Sequence, residues 1–441
     1  MKLSGWGRYP VLEARVHAPR SVEALQALVR SEPSVIARGN GRAYGDSAIN
    51  PAATLDMRHL DRMIAFDAGT GQVVAEAGVL LGDVIASFLP RGWFPMVTPG
   101  TKFVTLGGAI AADVHGKNHH RDGSFRECVD WIDLIGAEGE IRRCSREQNR
   151  ALFEHTIGGM GLTGIIARAA IRLRPVESGW IRQTTIPAPN LRAAIATFEE
   201  SQDATYSVAW IDCLGRGETL GRSLVMLGEH ATRADLSPVQ ARRPFETGAK
   251  RKRSVPFDFP SFTLNRLSVT AFNKLYYWQG ARKAGVEIVD WDSYFYPLDA
   301  ILGWNRIYGR KGFAQFQCVL PLAEAERGLS ALLEEIAETG AGSFLAVLKR
   351  FGAQESPFSF PMEGYTLALD FPITRKTLAL MERLDQITID FGGRFYLAKD
   401  SRMTAATFRA SEPRLRDFRT QLDAQGAARH FRSAQSERLE I

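Results

Sequence analysis

Residues 98–120, TPGTKFVTLGGAIAADVHGKNHH, crowd glycines, small residues and polar side chains together with neither helical nor strand periodicity. Pro99 and Gly100 form a turn, Gly107 and Gly108 remove two successive side chains, and Ala109, Ala111 and Ala112 keep the wall behind them thin. Such a stretch lets backbone N–H groups approach a ligand closely. His115, Lys117, Asn118, His119 and His120 then bring imidazole, ammonium and amide groups to the end of that wall, a set a packed core would not choose. The stretch reads as a loop that wraps a ligand, with a glycine-rich surface loop as the plainer alternative.

The segments on either side carry two more glycine clusters. Upstream, residues 21–30 put Val22, Leu25, Leu28 and Val29 on one helical face with Ser21 as cap. A short strand at 34–37 runs into RGNGRAYGD, 38–46, where Gly39, Gly41 and Gly45 stand beside Arg38 and Arg42, a turn suited to a pyrophosphate. Its spacing is GxGxxxG and a strand follows, which disfavours a Rossmann site. Hairpins are expected at 63–77 and 129–143, and a helix at 80–89 closed by Gly92. Downstream, Gly159, Gly161 and Gly164 spell a formal GxGxxG, but residues 165–173 look like a strand stopped by Pro175, not the helix a dinucleotide fingerprint must open. Three glycine clusters between strands imply one extended ligand touched at three places by an α+β domain.

At 441 residues the chain is long enough for two domains. With 45% hydrophobic and 24% charged residues it reads as soluble and globular. The first residues lack an apolar h-region, so no secretory signal is expected, and no apolar run approaches a membrane span. Cys128, Cys144, Cys213 and Cys318 are widely spaced, as reduced cytoplasmic thiols would be. The net charge of +6 favours anionic partners, and Arg242, Arg243 and Lys250 to Arg253 concentrate it in one polar stretch that reads as a solvated loop.

After residue 176 the character changes to aromatic-rich strands at 205–214, 292–299, 313–321 and 343–352, with helices at 322–338 and 376–390, the second closed by Gly392 and Gly393. Gln315 and Gln317 share a face of their strand, and with Lys349 on a neighbouring strand they suggest the polar floor of a pocket, or else a solvated sheet face.

The blocks RGNGRAYGD, VAEAGVLLGDVI, PGTKFVTLGGAIAADVHGKNHH and GGMGLTGII, in that order, resemble the FAD-binding domain of the vanillyl-alcohol-oxidase (PCMH-type) flavoproteins. HGKNHH at 115–120, YSVAWID, FAQFQ, and FYLAKDSR at 395–402 are similar to the branch of that family that oxidises decaprenylphosphoryl-ribose. The resemblance implies a two-domain α+β flavoprotein. It would have an FAD-binding domain at 1–178, a substrate domain at 179–393 with an antiparallel sheet flanked by helices and a mobile basic loop near 231–262, and a return to the FAD domain at 394–441. It places the cofactor along Ile36, Ala37, Arg38, Gly39, Asn40, Gly41, Arg42, Ala43, Tyr44, Gly45, Asp46 and Gly100. Thr105, Leu106, Gly107, Gly108, Ala112, Asp113, Val114, His115, Ile165 or Ile166, and Tyr396 would hold the rest of it. Lys117, Gln315, Gln317, Lys349 and Lys399 would line the substrate pocket. Many relatives tether the flavin through a histidine in the first glycine block; Arg42 stands there here, so FAD is expected to be non-covalent.

The implied chemistry is oxidation of the 2-hydroxyl of a polyprenylphosphoryl-β-D-ribose to the 2-keto sugar by hydride transfer to flavin N5. Such a step needs a base for the hydroxyl proton, with Lys399 first and Tyr396 and His115 behind it. The implied partners are a lipid-linked phosphosugar and a separate NADH-dependent short-chain reductase. The implied location is the cytoplasm, with a peripheral contact at the inner face of the plasma membrane through the 242–253 loop. The alternative is an alditol or aldonolactone oxidase using oxygen, on the same fold. A metal site at His115 and His119, four apart, is disfavoured by Gly116 and the strand-like run at 111–114, so no metal is expected. Nucleic-acid binding through the basic cluster is disfavoured because the four ordered glycine blocks have no place in it.

Overall fold

In the computed structural model, which describes residues 1–248, 253–260, 263, 265–343 and 345–441, two antiparallel sheets share the molecule. The first runs in the order Ile141–Ser145, Val129–Ile135, Ile165–Pro175, Gln72–Glu76, Met63–Asp67, with Trp93–Pro95 also paired to Ile165–Pro175. Both expected hairpins are in it, at Met63–Asp67 with Gln72–Glu76 and at Val129–Ile135 with Ile141–Ser145. Beside it lies a small parallel sheet of Val16–His17, Thr54–Asp56 and Ile36–Arg38. The Val22–Ser31 helix is capped by Ser21 and buries Val22, Leu25 and Val29 as its periodicity dictates.

The second sheet has eight strands in the order Gly285–Asp290, Trp180–Ala188, Ser223–His230, Tyr206–Ile211, Ala346–Phe351, Gly364–Pro372, Phe313–Pro321, Arg394–Phe395. The helices Leu191–Glu200, Ala325–Thr339 and Arg375–Asp390 cover one face. Ala314, Phe316, Cys318 and Leu320 meet those helices, with Leu348, Leu367 and Leu369 beside them. The alternate residues, Gln315, Gln317, Val347, Lys349, Thr366 and Ala368, face the other way, into a cavity. Both faces are covered, so the strand does not look alternating in sequence.

Four expectations need correction. The 98–120 stretch is not all loop: Leu106–Ala111 is a helix whose N-cap Thr105 accepts from Gly108 N–H, and His119–Asp122 is a further turn. Its run at 111–114 is no strand, since Ala112 caps the helix and Asp113 has φ +40°. Residues 292–299 are not a strand either, because the Asp290 carboxylate caps a short helix, Trp291–Phe295, followed by a 3-10 turn at Pro297–Ala300. Lys349 is two strands from Gln317, with Gly364–Pro372 between them: Gln317 pairs with Ala368, Lys349 with Thr366.

The region near 231–262 is not loop throughout. Pro238–Arg242 is a helix capped by Ser237, and Arg253–Ser254 pairs with Ile301–Leu302. Lys250, Arg251 and Lys252 lie outside the described residues. Several helices had no counterpart in the sequence reading, among them Arg150–Thr156, Leu191–Glu200, Leu415–Ala424 and the long Arg266–Arg282, which is followed by the strand Gly285–Asp290. All four cysteines are buried and unpaired.

Candidate active site

The three glycine segments, far apart in sequence, converge on one cavity of about 1280 Å³. Gly39, Gly41, Gly100, Gly107, Gly108, Gly161 and Gly164 line one side, and the open face of the eight-stranded sheet lines the other. Close approach explains two of these glycines. A Cβ on Gly39 would lie 2.2 Å from Thr105 Oγ1, and one on Gly107 would lie 2.8 Å from the Ala77 Cβ. The first segment is thus pressed onto the cap of the Leu106–Ala111 helix, and that helix onto the end of Gln72–Glu76. Gly100 differs, with nothing within 4 Å of where its Cβ would stand, so its backbone is open to an occupant.

The floor of the cavity is polar and cationic. Gln317 Nε2 lies 3.1 Å from His115 Nε2 and 3.2 Å from Thr366 Oγ1. The amide therefore donates to the imidazole, whose proton sits on Nδ1. That Nδ1 is buried with no hydrogen-bond partner among the described residues, a cost of about 1–3 kcal/mol unless an occupant of the cavity accepts from it. Burial, then the charge of Lys349, holds His115 well below its ordinary range, so it is neutral. Burial also pulls Lys349 down to about 8 and Lys117 to about 7. The Lys117 ammonium donates to the Tyr294 carbonyl and sits 4.0 Å from that ring's centroid. Lys349 has no ion-pair partner among the described residues.

Lys399 is placed by backbone: its N–H donates to the Tyr396 carbonyl, while Phe395 pairs with Cys318 of the large sheet. Its Nζ lies 3.8 Å from the centroid of Tyr44. Behind that ring, Gln315 Nε2 donates to Asp370 Oδ1 at 2.5 Å, and Tyr308 hydroxyl donates to Asp370 Oδ2 at 3.4 Å. Burial pushes Asp370 up and Lys399 down, and each opposes the other's neutralisation through its charge. Tyr396 packs at 4.8 Å on Phe360, and its hydroxyl donates to the Ala112 carbonyl at 3.0 Å. Burial raises its pKa.

The five expected substrate-side residues, Lys117, Gln315, Gln317, Lys349 and Lys399, all line this cavity. So do Ala37, Gly39 to Tyr44, Gly100, Thr105, Gly107, Gly108, Ala112, Val114, His115, Ile166 and Tyr396. Seven expected cofactor residues stand behind the wall. Ile36, Leu106 and Ile165 are core residues. Arg38 donates to the Ser4 carbonyl. Gly45 is pressed on the Asp400 carbonyl, and Asp46 pairs with Arg438 at 2.8 Å. Asp113 accepts from Ser124 hydroxyl and Arg126 N–H. In each case a glycine-rich block was read as contact throughout, whereas alternate residues must hold the block in place. Trp210, Met226, Phe272 and Tyr276, which line the cavity's apolar end, were not singled out. Nor was Asp370, although a lone acid in TLALDF, 366–371, is a visible anomaly.

The residues fit a dinucleotide. Arg42 lies 4.3 Å over Trp6 with its Nε buried and unpartnered among the described residues, beside backbone freed of side chains at Gly39 and Gly41. The volume exceeds the roughly 300–1,000 Å³ of ordinary ligand pockets, leaving room for a second molecule. Among the described residues no cluster of His, Cys, Asp and Glu could hold a metal.

The pattern of the FAD binding domain family matches residues 14–145. The whole chain is 36% identical to decaprenylphosphoryl-beta-D-ribose oxidase of Mycolicibacterium smegmatis, over 97% of that protein. It is 32% identical to a protein from the mprA 5' region of Streptomyces coelicolor, over 75% of this chain and 91% of the other. To cytokinin dehydrogenase 2 of Arabidopsis thaliana it is 29% identical over 41% of this chain and 35% of the other.

Proposed function

The chain belongs to the decaprenylphosphoryl-β-D-ribose oxidase family, and from that membership we propose that it oxidises the 2-hydroxyl of a polyprenylphosphoryl-β-D-ribose to the 2-keto sugar. It is an FAD-dependent oxidoreductase acting on a CH–OH group. The observation that carries the substrate reading is electrostatic: Lys117, Lys349 and Arg42 converge on a cavity whose only lining carboxylate among the described residues is Asp299. Such a field favours a sugar that carries a phosphate.

When bound, FAD supplies the hydride acceptor. The protein's own part is to orient the sugar, exclude water and take the hydroxyl proton. Lys399 takes the proton, because burial favours its neutral form and it faces the cavity. Tyr396 and His115 serve otherwise. The Tyr396 proton is engaged by Ala112 and its pKa is raised, so it packs rather than accepts. His115 offers Nδ1–H and acts as a donor to the bound molecules. Gln315 and Gln317 hold sugar hydroxyls, and Lys349 with Lys117 meets the phosphate. FAD is held non-covalently, with Arg42 where a tethering histidine would stand. The same reading divides the chain into a cofactor part at 1–178 and 394–441 and a substrate part at 179–393.

The product passes to a separate NADH-dependent short-chain reductase, and the enzyme works in the cytoplasm against the inner face of the plasma membrane. The lipid-linked substrate supports that location. No described helix is long and apolar enough to cross a membrane.

The test is the visible spectrum of the purified protein without oxygen, before and after polyprenylphosphoryl ribose is added. The flavin band bleaches if the proposal holds. A band that persists there, but bleaches with free alditols or aldonolactones and yields peroxide in air, assigns the alternative sugar oxidase. Acid precipitation of the same sample should leave the yellow colour in the supernatant; a yellow pellet would mean a covalent link.

A further inference from the structure

The Arg266–Arg282 helix buries only Val269 and Asn273. Asn273 donates to Asp212 at 2.7 Å, and a Cβ on Gly280 would lie 2.2 Å from Leu224, so one side of the helix is fixed against the Ser223–His230 strand. The opposite side carries Leu267, Ala271, Leu275 and Trp278 at helical spacing, with Leu267 82%, Leu275 53% and Trp278 50% exposed. Single exposed apolar residues mean little, but a continuous stripe of large ones marks a contact surface.

Two observations say what the surface meets. Residues 247–286 carry eight Lys and Arg against one acid, Asp258. The rest of the chain then holds 47 Lys and Arg against 49 Asp and Glu less that one, so the entire positive excess of +6 resides in this segment. A second copy would set like charge against like, whereas an anionic surface is complementary. Moreover Phe272 and Tyr276, on the same helix, and Leu302 are exposed yet also line the cavity, so the cavity opens beneath this stripe. Trp210 and Met226 continue its wall inward with apolar surface.

We propose that the Arg266–Arg282 helix seats its Leu267, Leu275 and Trp278 edge in the headgroup boundary of an anionic bilayer, so that a lipid-linked substrate enters beneath Phe272 and Tyr276 with its chain still in the membrane. The second half rests on the polyprenylphosphoryl-ribose reading; the docking itself does not. Lys274 and Lys283, both exposed, and Arg282, whose guanidinium lies 3.8 Å over Trp278, face the headgroups.

The experiment is flotation of the full-length holoenzyme with vesicles of equal phosphatidylglycerol and phosphatidylcholine, and with phosphatidylcholine alone. The wild type floats with the anionic vesicles. Leu267→Ser, Leu275→Ser and Trp278→Ser together lower the partition coefficient by about tenfold or more, while flavin reduction by a soluble short-chain substrate is unchanged. Lys274→Glu with Lys283→Glu reaches the same contact without touching an apolar residue and weakens it by about tenfold or more. Variants that float like the wild type, or a wild type that stays in solution at low salt, would overturn the proposal. So would light scattering showing a wild-type dimer that the serine variant turns into monomer, which assigns the stripe to a second copy. Flotation needs no substrate, so its failure and a failure to bleach the flavin are separate results.

Discussion

Lys399 lines the cavity and Asp370 lies behind its wall, and each acts on the other's charge. Burial lowers Lys399, Asp370 raises it and Lys349 lowers it again. A base must be neutral, so the reductive rate should climb as pH rises through the pKa of Lys399. Asp370→Asn removes the charge that holds the ammonium protonated, and the rising limb should move to lower pH. Lys399→Ala should cost about two to four orders of magnitude on the plateau above that limb, and less below it. Anaerobic stopped-flow flavin reduction across pH reads both; an unmoved limb in Asp370→Asn would remove the carboxylate from this role, and full reduction in Lys399→Ala would remove the base.

The Leu106–Ala111 helix hangs on one hydroxyl. Thr105 Oγ1 accepts from Gly108 N–H at 3.3 Å and abuts the position a Gly39 Cβ would take. Thr105→Ala should therefore destabilise the protein by about 1 kcal/mol, read from urea unfolding, and release flavin at lower urea than the wild type; unchanged flavin retention would uncouple the cap from the site. This helix was invisible in sequence because two of its six residues are glycines, kept for close packing against propensity. The Arg266–Arg282 helix was missed for the opposite reason. Its apolar residues lie on both the fixed and the exposed side, so no stripe stands out against a polar background. The hairpins and the Ala325–Thr339 and Arg375–Asp390 helices were legible because each has one buried face, which imposes its period on the sequence. The polar floor was half legible. Gln315 and Gln317 share a face by the two-residue period alone, but the register that sets Lys349 across the intervening strand is a tertiary fact.

Across the whole molecule, the last forty residues lock the first glycine segment to the turn that carries Lys399. Phe431 bridges Val35, Tyr44 N–H donates to the Ala398 carbonyl, and Arg438 pairs with Asp46 at 2.8 Å and with Asp400 at 2.9 Å. Ala398 and Asp400 flank Lys399, so the clamp fixes the base from both sides. Burial raises Asp400, but Arg438 and the N–H groups of Arg402 and Met403 outweigh it and hold the carboxyl below the ordinary range. A depressed carboxylate contributes stability that is present above its unfolded pKa and lost as pH falls through the folded one. Arg438→Met leaves two buried carboxylates facing each other without their cation, at a cost of about 3–5 kcal/mol near neutral pH. That cost should shrink toward acid, because without its cation the Asp400 carboxyl takes up a proton at higher pH than it does in the wild type. Urea unfolding of both proteins at neutral pH and at about pH 5 decides it: a difference in stability that narrows toward acid supports the clamp, and one that stays constant would mean that Arg438 acts by packing alone.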